Sequence, residues 1–138
     1  LLCTARKIKE DDFEQQNIFE LPLNQYAEHY STGMKKKLAL MGVILQKNEV
    51  FILDEPFNGV DLHSNILISA IIQKLKSSGK TVLISSHIFS TLSESCDVIH
   101  LLKSGTIERS FERHAFAELE SEMKAFVVGD TLERLPIH

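Results

Sequence analysis

Two adjacent carboxylates, Asp54 and Glu55, follow a short apolar run and are themselves followed by Pro56. The run Val50–Leu53 is rich in β-branched and large apolar residues without alternation, which predicts a buried strand of the kind that parallel sheets favour. Two acids at a strand end are costly to bury unless a metal ion or a polarised proton meets them. The pair is therefore either a site for such a partner or an acidic surface turn.

The segment after the carboxylates predicts a helix that leads to a second strand. Asn58-Gly59 marks a turn, and Asp61 can cap a helix over residues 62–76. A glycine then ends that helix, and residues 81–85 form another short apolar run. Residues 49–85 therefore predict a βαβ unit with two parallel strands.

Polar side chains also end the second strand, where Ser85 and Ser86 are followed by His87. Ligands of open parallel sheets bind beyond the carboxyl ends of the strands. We therefore expect His87 to share one edge of the sheet with Asp54 and Glu55. This convergence favours a functional site over a surface turn.

A second candidate site lies at the start of a strong helix pattern over residues 34–46. Ser31 or Thr32 can cap this helix, and Gly33 and Met34 follow. Hydroxyls, a glycine and free backbone N–H groups at a helix start suit an anion. The alternative interpretation is an ordinary capped helix.

The composition excludes several classes of protein. The chain has 138 residues, 43% hydrophobic and 25% charged, and a net charge of −4, which are ordinary values for one globular domain or part of one. Its densest basic cluster, Lys35–Lys37, is interpreted as a solvated helix face, so no nucleic acid is expected. Cys3 and Cys96 show no zinc or disulfide pattern and fit a reducing cytosol.

The ends of the chain carry no recognisable targeting segment. No apolar run approaches the roughly 20 residues of a membrane-spanning helix, and Leu1-Leu2 is too short to be a signal peptide. The chain does not begin with Met, so we interpret it as a fragment. The predicted organisation is a helical segment over 1–48, an α/β core over 49–110 and a terminal helix with a tail over 111–138.

The remaining segments have weaker patterns. Before the first candidate site, the pattern predicts mostly helix over 1–30, with an amphipathic helix over 23–29. After the βαβ unit it predicts a helix over 88–95 and a hairpin of strands 98–102 and 106–109. The last part of the chain is predicted to form a helix over 111–123, a strand over 126–128 and a loose tail over 129–138.

Two apparent motifs are rejected. Ser78–Thr81 resembles the end of a P-loop, G-x-x-x-x-G-K-[ST], but Lys74 stands where the first glycine belongs, and the segment leaves a helix for a strand instead of the reverse. Ser86 and His87 suggest a nucleophile and its base, but no G-x-S-x-G elbow surrounds the serine.

Four motifs occur in one order: Tyr30–Met34, Phe51–Pro56, Asn58–Asp61 and Ser85–His87. Over roughly residues 20–110 the chain strongly resembles the C-terminal half of an ATP-binding cassette domain, the ATPase subunit of ABC transporters. In that family the motifs are the signature motif, the Walker B strand, the D-loop and the switch histidine.

The resemblance implies roles for the carboxylates and the histidine. Asp54 would hold Mg²⁺, through water, because this ion prefers oxygen ligands and retains several waters. Glu55 would be the general base or position the attacking water. His87 would contact the γ-phosphate of ATP and orient that water.

The resemblance also implies a nucleotide site shared between two subunits. Ser31, Thr32, Gly33 and Met34 would hold the γ-phosphate of ATP bound to a second nucleotide-binding domain, and Asp61 would reach across the same interface. Two departures from the family pattern stand here: Thr32 replaces a glycine, and Met34 with the next lysine replaces the usual glutamine step.

The implied fold is α/β: a partial P-loop NTPase (RecA-like) parallel sheet flanked by helices, with a helical signature segment on its N-terminal side. The implied ligands are ATP and Mg²⁺. The implied partners are a second nucleotide-binding domain and an integral membrane permease subunit, which places the protein in the cytoplasm, peripheral to the inner face of the membrane.

The implied function is the ATP-hydrolysing subunit of a transporter, here without its P-loop, so the chain alone is expected to be inactive. One alternative is a non-transport cassette ATPase acting on ribosomes or DNA; translation-type members carry histidine where Gly59 stands. Another is a catalytically silent remnant that only binds a partner. The presence of Asp54, Glu55 and His87 together argues against that last alternative.

Overall fold

The computed structural model describes residues 14–133, which belong to two compact units, one ending at His87 and the other beginning at Ile88. In the first unit the elements are a 3-10 helix (Ala27–His29), α1 (Thr32–Leu45), β1 (Val50–Asp54), α2 (Leu62–Ser77) and β2 (Thr81–Ser85). In the second they are α3 (Phe89–Ser95), β3 (Val98–Lys103), β4 (Thr106–Glu112), a 3-10 helix (Arg113–Ala115) and α4 (Phe116–Glu133). Among these helices, none has the length and apolar character needed to cross a bilayer.

The first unit contains the predicted βαβ arrangement. Strands β1 and β2 are parallel and in register from the pair Val50 and Thr81 to the pair Asp54 and Ser85. Helix α2 connects them, and its N-cap is Asp61, whose side chain accepts a hydrogen bond from the backbone N–H of Ser64. The turn signals in the sequence thus predicted the order of these elements correctly and their bounds to within one residue.

The core of the first unit lies on one face of β1 and β2, with residues of α1 and α2 packed there. Its buried members are Phe19, Leu21, Tyr30, Leu40, Met41, Leu53, Phe57, Ile68 and Ile72.

The prediction of a wholly buried strand β1 is wrong. Side chains alternate along the strand, so Phe51 and Leu53 are buried, whereas Val50 and Ile52 are 57% and 72% exposed. In β2, Leu83 is likewise exposed. The reason is that α1 and α2 pack on only one face, and the pleat of a strand sends successive side chains to opposite faces.

The segment before α1 is mostly irregular. The amphipathic helix predicted over residues 23–29 is wrong, because only Ala27–His29 forms a 3-10 turn and Tyr26 is 79% exposed. The side chain of Asn17 bonds both the N–H and the carbonyl of Leu21, and such bonds compete with helix formation. Of the helical prediction for residues 1–30, residues 1–13 lie outside the described part.

The second unit is built on the predicted hairpin. Strands β3 and β4 are antiparallel with an irregularity at Leu101 and Leu102, and Ser104 and Gly105 between them both have positive φ, as a two-residue hairpin turn requires. A small core joins this hairpin to α4 through Ile99, Phe111, Phe116 and Leu119.

The helix predicted from Phe111 starts later, because Phe111 lies in β4 and α4 begins at Phe116. The predicted strand over residues 126–128 is also wrong, since α4 continues to Glu133 and includes the first residues of the predicted tail. A helix satisfies its own backbone hydrogen bonds, whereas an extended segment needs a neighbouring strand. Residues 134–138 of that tail lie outside the described part.

Candidate functional site

The carboxylate of Glu55 and the imidazole of His87 are in contact at the carboxyl edge of β1 and β2. The Nδ1 atom of His87 lies 2.9 Å from Oε1 of Glu55, and the side chains are 67% and 29% exposed, respectively. The parallel register brings the two strand ends side by side. The expected convergence of His87 with the carboxylates is therefore confirmed as geometry.

The second carboxylate oxygen of Glu55 has a different environment. Oε2 is buried and has no hydrogen-bond partner among the described residues. Buried polar atoms are almost always hydrogen-bonded, and a carboxylate oxygen without a partner loses its hydration without compensation. Such an oxygen is suited to accept a hydrogen bond from a small donor such as a water molecule.

Ser85 connects the two adjacent acids. Its hydroxyl donates a hydrogen bond to Oδ1 of Asp54. The backbone N–H of Glu55 donates to the carbonyl oxygen of Ser85 at 3.0 Å, and its nitrogen lies 3.2 Å from the Ser85 hydroxyl oxygen. No role for Ser85 could be predicted from the sequence, because its pairing with Asp54 depends on the strand register.

Asp54 fits one kind of metal site. In residues 14–133 no three His, Cys, Asp or Glu side chains form a cluster that could hold a metal ion by themselves. Mg²⁺ commonly takes one or two carboxylates from the protein and its other ligands from water and substrate phosphates. Asp54 is exposed at the end of β1, where its carboxylate can supply one such ligand or bind through water.

The backbone of Glu55 is strained. Its φ is +46°, in the left-handed region that side-chain-bearing residues rarely adopt, and Pro56 further restricts the residue before it. Such a conformation costs about 1–3 kcal/mol and persists only where surrounding contacts hold it. The carbonyl oxygen of Glu55 accepts a hydrogen bond from the N–H of Asn58 at 3.2 Å, which closes a turn.

The start of α1 is organised as the sequence predicts. Ser31 is the N-cap, and its hydroxyl oxygen accepts a hydrogen bond from the N–H of Met34 at 3.2 Å. Ser31 and Thr32 are exposed, while Gly33 and Met34 are half-buried. The cap satisfies the N–H of Met34, whereas the N–H groups of Thr32 and Gly33 before it have no intrahelical acceptor and can donate to the surroundings.

Gly33 lies directly against the loop Asn58–Asp61. A Cβ atom on Gly33 would be 2.8 Å from the carbonyl oxygen of Gly59, a separation that real Cβ atoms do not show. Gly59 itself has φ +75°, which favours glycine. The signature segment and the D-loop segment are thus packed together by two glycines.

Two lysines of α1 strengthen this contact. The Nζ atom of Lys36 lies 3.2 Å from the carbonyl oxygen of Glu55 and 2.6 Å from that of Asn58. The Nζ atom of Lys37 lies 2.8 Å from Oδ2 of Asp61, and its side chain is only 15% exposed. The interpretation of the lysine cluster as a solvated helix face is therefore wrong for these two residues, whereas Lys35 is exposed.

The ammonium of Lys37 also determines the charge of Asp61. Its hydrogen bond holds the pKa of the Asp61 carboxyl far below the ordinary value, and the N–H and hydroxyl of Ser64 lower it further. The carboxylate of Asp61 therefore keeps its charge, as helix cap and as ion-pair partner, to a lower pH than an ordinary aspartate.

Sequence comparison finds ABC transporter proteins among the relatives of this chain. A family model described as ABC transporter matches residues 6–58. A putative ABC transporter ATP-binding protein of Treponema denticola is 31% identical over 130 residues, which cover 91% of this chain and 25% of that protein. One from Listeria monocytogenes is 36% identical over 109 residues, covering 78% of this chain and 41% of that protein. The chain thus spans well under half of the length of these two relatives.

Solved structures give the same result. An ATP-binding subunit of an ABC transporter superimposes with a TM-score of 0.74 at 25% identity, covering 89% of this chain and 59% of that one. A dimeric ATP-binding cassette bound to ADP and Pi shares the fold, with a TM-score of 0.61 at 18% identity and coverage of 81% and 44%. The α/β fold with its parallel strands and flanking helices is that of ABC ATPase domains, and most of the chain is similar in sequence to ABC transporter ATP-binding proteins.

Proposed function

We propose that this chain forms the part of an ABC-type ATPase that acts on the γ-phosphate, and that the native protein hydrolyses MgATP to drive a membrane partner. The observation that carries this proposal is the state of the Glu55 carboxylate. One oxygen contacts His87, and the other is buried with no hydrogen-bond partner in residues 14–133, which is the arrangement expected of a group that holds a water molecule.

Each residue of the edge has a task in this proposal. Bound MgATP supplies the phosphoanhydride bond that water cleaves. Glu55 would accept a proton or a hydrogen bond from that water through Oε2, while His87 fixes the carboxylate through Oε1. His87 would also contact the γ-phosphate. Asp54, oriented by the hydroxyl of Ser85, would contribute a carboxylate to hold Mg²⁺.

The start of α1 serves a different nucleotide. We assign the N–H groups and hydroxyls of Ser31–Met34 to the γ-phosphate of ATP bound by a second nucleotide-binding domain. Asp61 lies beside this segment, where it contributes to the same interface and connects it to the catalytic edge. The close packing of Gly33 on Gly59 supports a joint role for the two segments.

The proposed partners follow from this arrangement. They are a second nucleotide-binding domain and an integral membrane permease subunit, so the proposed location is the cytoplasm, peripheral to the inner face of the membrane. The 138 residues contain no P-loop. We therefore propose that these 138 residues alone bind ATP only weakly. A micromolar affinity measured by isothermal calorimetry would contradict this proposal.

The proposal is tested by phosphate release from MgATP by the native protein, with and without EDTA. We expect hydrolysis that EDTA abolishes, and a severe loss in Asp54→Asn, which lacks the charge that attracts the metal ion. Glu49→Gln is the matched control, because Glu49 is an exposed acid whose partner is Lys80. Hydrolysis that persists in EDTA, or in Asp54→Asn at the native rate, would contradict the proposal.

A further inference from the structure

The contact between Lys36 and the turn Glu55–Asn58 is not explained by charge pairing. The ammonium of Lys36 meets two backbone carbonyl oxygens, those of Glu55 and Asn58, at 3.2 and 2.6 Å. Lys37, its neighbour, pairs instead with a carboxylate. The contact of Lys36 therefore depends on the conformation of the turn, which brings both carbonyl oxygens to one ammonium.

The turn needs such a contact because its first residue is strained. Glu55 has φ +46° and precedes proline, so its conformation must be imposed by its neighbours. On one side its N–H is fixed by Ser85 of β2. On the other side its carbonyl oxygen is fixed by the N–H of Asn58 and by Lys36. Lys36 is thus the contact that joins the strained residue to α1.

The position of Lys36 in the helix gives this contact a further consequence. Helix α1 begins at Thr32 with the signature segment, so Lys36 lies about one turn after the end assigned above to the γ-phosphate. A displacement of the start of α1 therefore moves the ammonium that holds the carbonyl of Glu55. In the proposed function, Glu55 acts on one ATP molecule and the start of α1 binds another, so Lys36 would link the two nucleotide sites.

We propose that Lys36 is a positioning residue for Glu55: it fixes the backbone of the catalytic glutamate and links its placement to the phosphate-binding start of α1. This inference rests on the proposed function for the role of Glu55 and of α1. The contact of Lys36 with the carbonyl oxygens of the turn is present in the fold without nucleotide, so its effect on the turn can be tested without ATP.

The experiment compares Lys36→Met, Lys36→Arg and the control Lys80→Met in the native protein. Lys80 is the matched residue, because its ammonium pairs with Glu49 at the opposite end of β1 and β2. In Lys36→Met we expect kcat to fall by roughly 10- to 100-fold with KM for MgATP little changed, since misplacement affects the reacting geometry more than ground-state binding. Lys36→Arg, whose guanidinium can also donate to two carbonyls, should recover at least part of kcat.

Hydrogen exchange without nucleotide provides the second measurement. In Lys36→Met the amides of residues 55–61 should exchange about tenfold faster, the effect of losing roughly one net hydrogen bond. The amides of residues 81–84 should be unchanged, and Lys80→Met should not affect residues 55–61. Native kcat in Lys36→Met, or equal losses in the Met and Arg variants, would overturn the positioning role. If the native protein does not hydrolyse MgATP, the proposed function fails. The hold of Lys36 on the turn is then judged by hydrogen exchange alone, and unchanged exchange of residues 55–61 in Lys36→Met would overturn it.

Discussion

His87 and Glu55 are 32 residues apart in the chain, yet the Nδ1 atom of His87 lies 2.9 Å from Oε1 of Glu55. This contact exists because β1 and β2 run parallel and end side by side. It leaves Oε2 of Glu55 as the buried oxygen without a partner among the described residues. The geometry therefore separates one oxygen that is held from one that is available to a water molecule.

His87→Ala should lower kcat for MgATP hydrolysis by roughly 10²-fold or more, because Glu55 loses the contact that orients it. The measurement is steady-state phosphate release by the native protein. His100→Ala is the control: its Nδ1 lies 2.7 Å from the hydroxyl of Ser110 on the β3–β4 hairpin, which belongs to the second unit. A native rate in His87→Ala would contradict the importance of the contact.

Gly33→Ala should lower turnover although alanine favours a helix over glycine by about 1 kcal/mol. The added Cβ would meet the carbonyl oxygen of Gly59 at 2.8 Å, and that oxygen belongs to backbone, so the start of α1 must move away from the D-loop segment. Turnover and thermal unfolding should be measured together. A variant with a higher melting temperature and native turnover would show that the two segments do not need this close packing.

The ion pair of Lys37 and Asp61 should stabilise the fold in a pH-dependent manner. The pKa of Asp61 is lowered in the folded state, first by Lys37. Its contribution is therefore complete above the ordinary aspartate pKa of about 3.9 and is lost as the pH falls below that value toward the folded pKa. The free energy of unfolding, measured with urea, should be lower for Lys37→Met than for the native protein from pH 5 to 8.

The same difference should shrink progressively below about pH 4. Lys80→Met is the control, because Lys80 pairs with an exposed Glu49 and surface pairs contribute little. A difference between the native protein and Lys37→Met that persists unchanged at low pH would show that Lys37 acts through packing alone.

Local signals in the sequence were sufficient for the elements that carry the site. The run before Asp54 and the run ending at Ser85 are short, apolar and bounded by turn residues, so β1, α2 and β2 follow from them. The same signals predicted the edge shared by Glu55 and His87, because parallel strands of a βαβ unit end on one side.

Other features depend on packing that the sequence does not specify locally. The side chain of Ile52 is exposed because the helices cover only the other face of β1. The contact of Lys36 with the carbonyl of Glu55 spans 19 residues and requires α1 to lie against the turn. A lysine on a helix has the same pattern whether it reaches solvent or a neighbouring loop, so this part of the site could not be predicted.

The central claim is that Glu55 activates or orients the attacking water, and Glu55→Gln tests it most directly. Glutamine keeps the size of the side chain and one acceptor oxygen, but it replaces the other oxygen by an NH2 donor and removes the negative charge that accepts a proton. Single-turnover hydrolysis and gel filtration of the native protein with MgATP should be compared with the variant. We expect Glu55→Gln to bind nucleotide and form nucleotide-bound dimers without hydrolysing ATP, whereas hydrolysis at the native rate would contradict the claim.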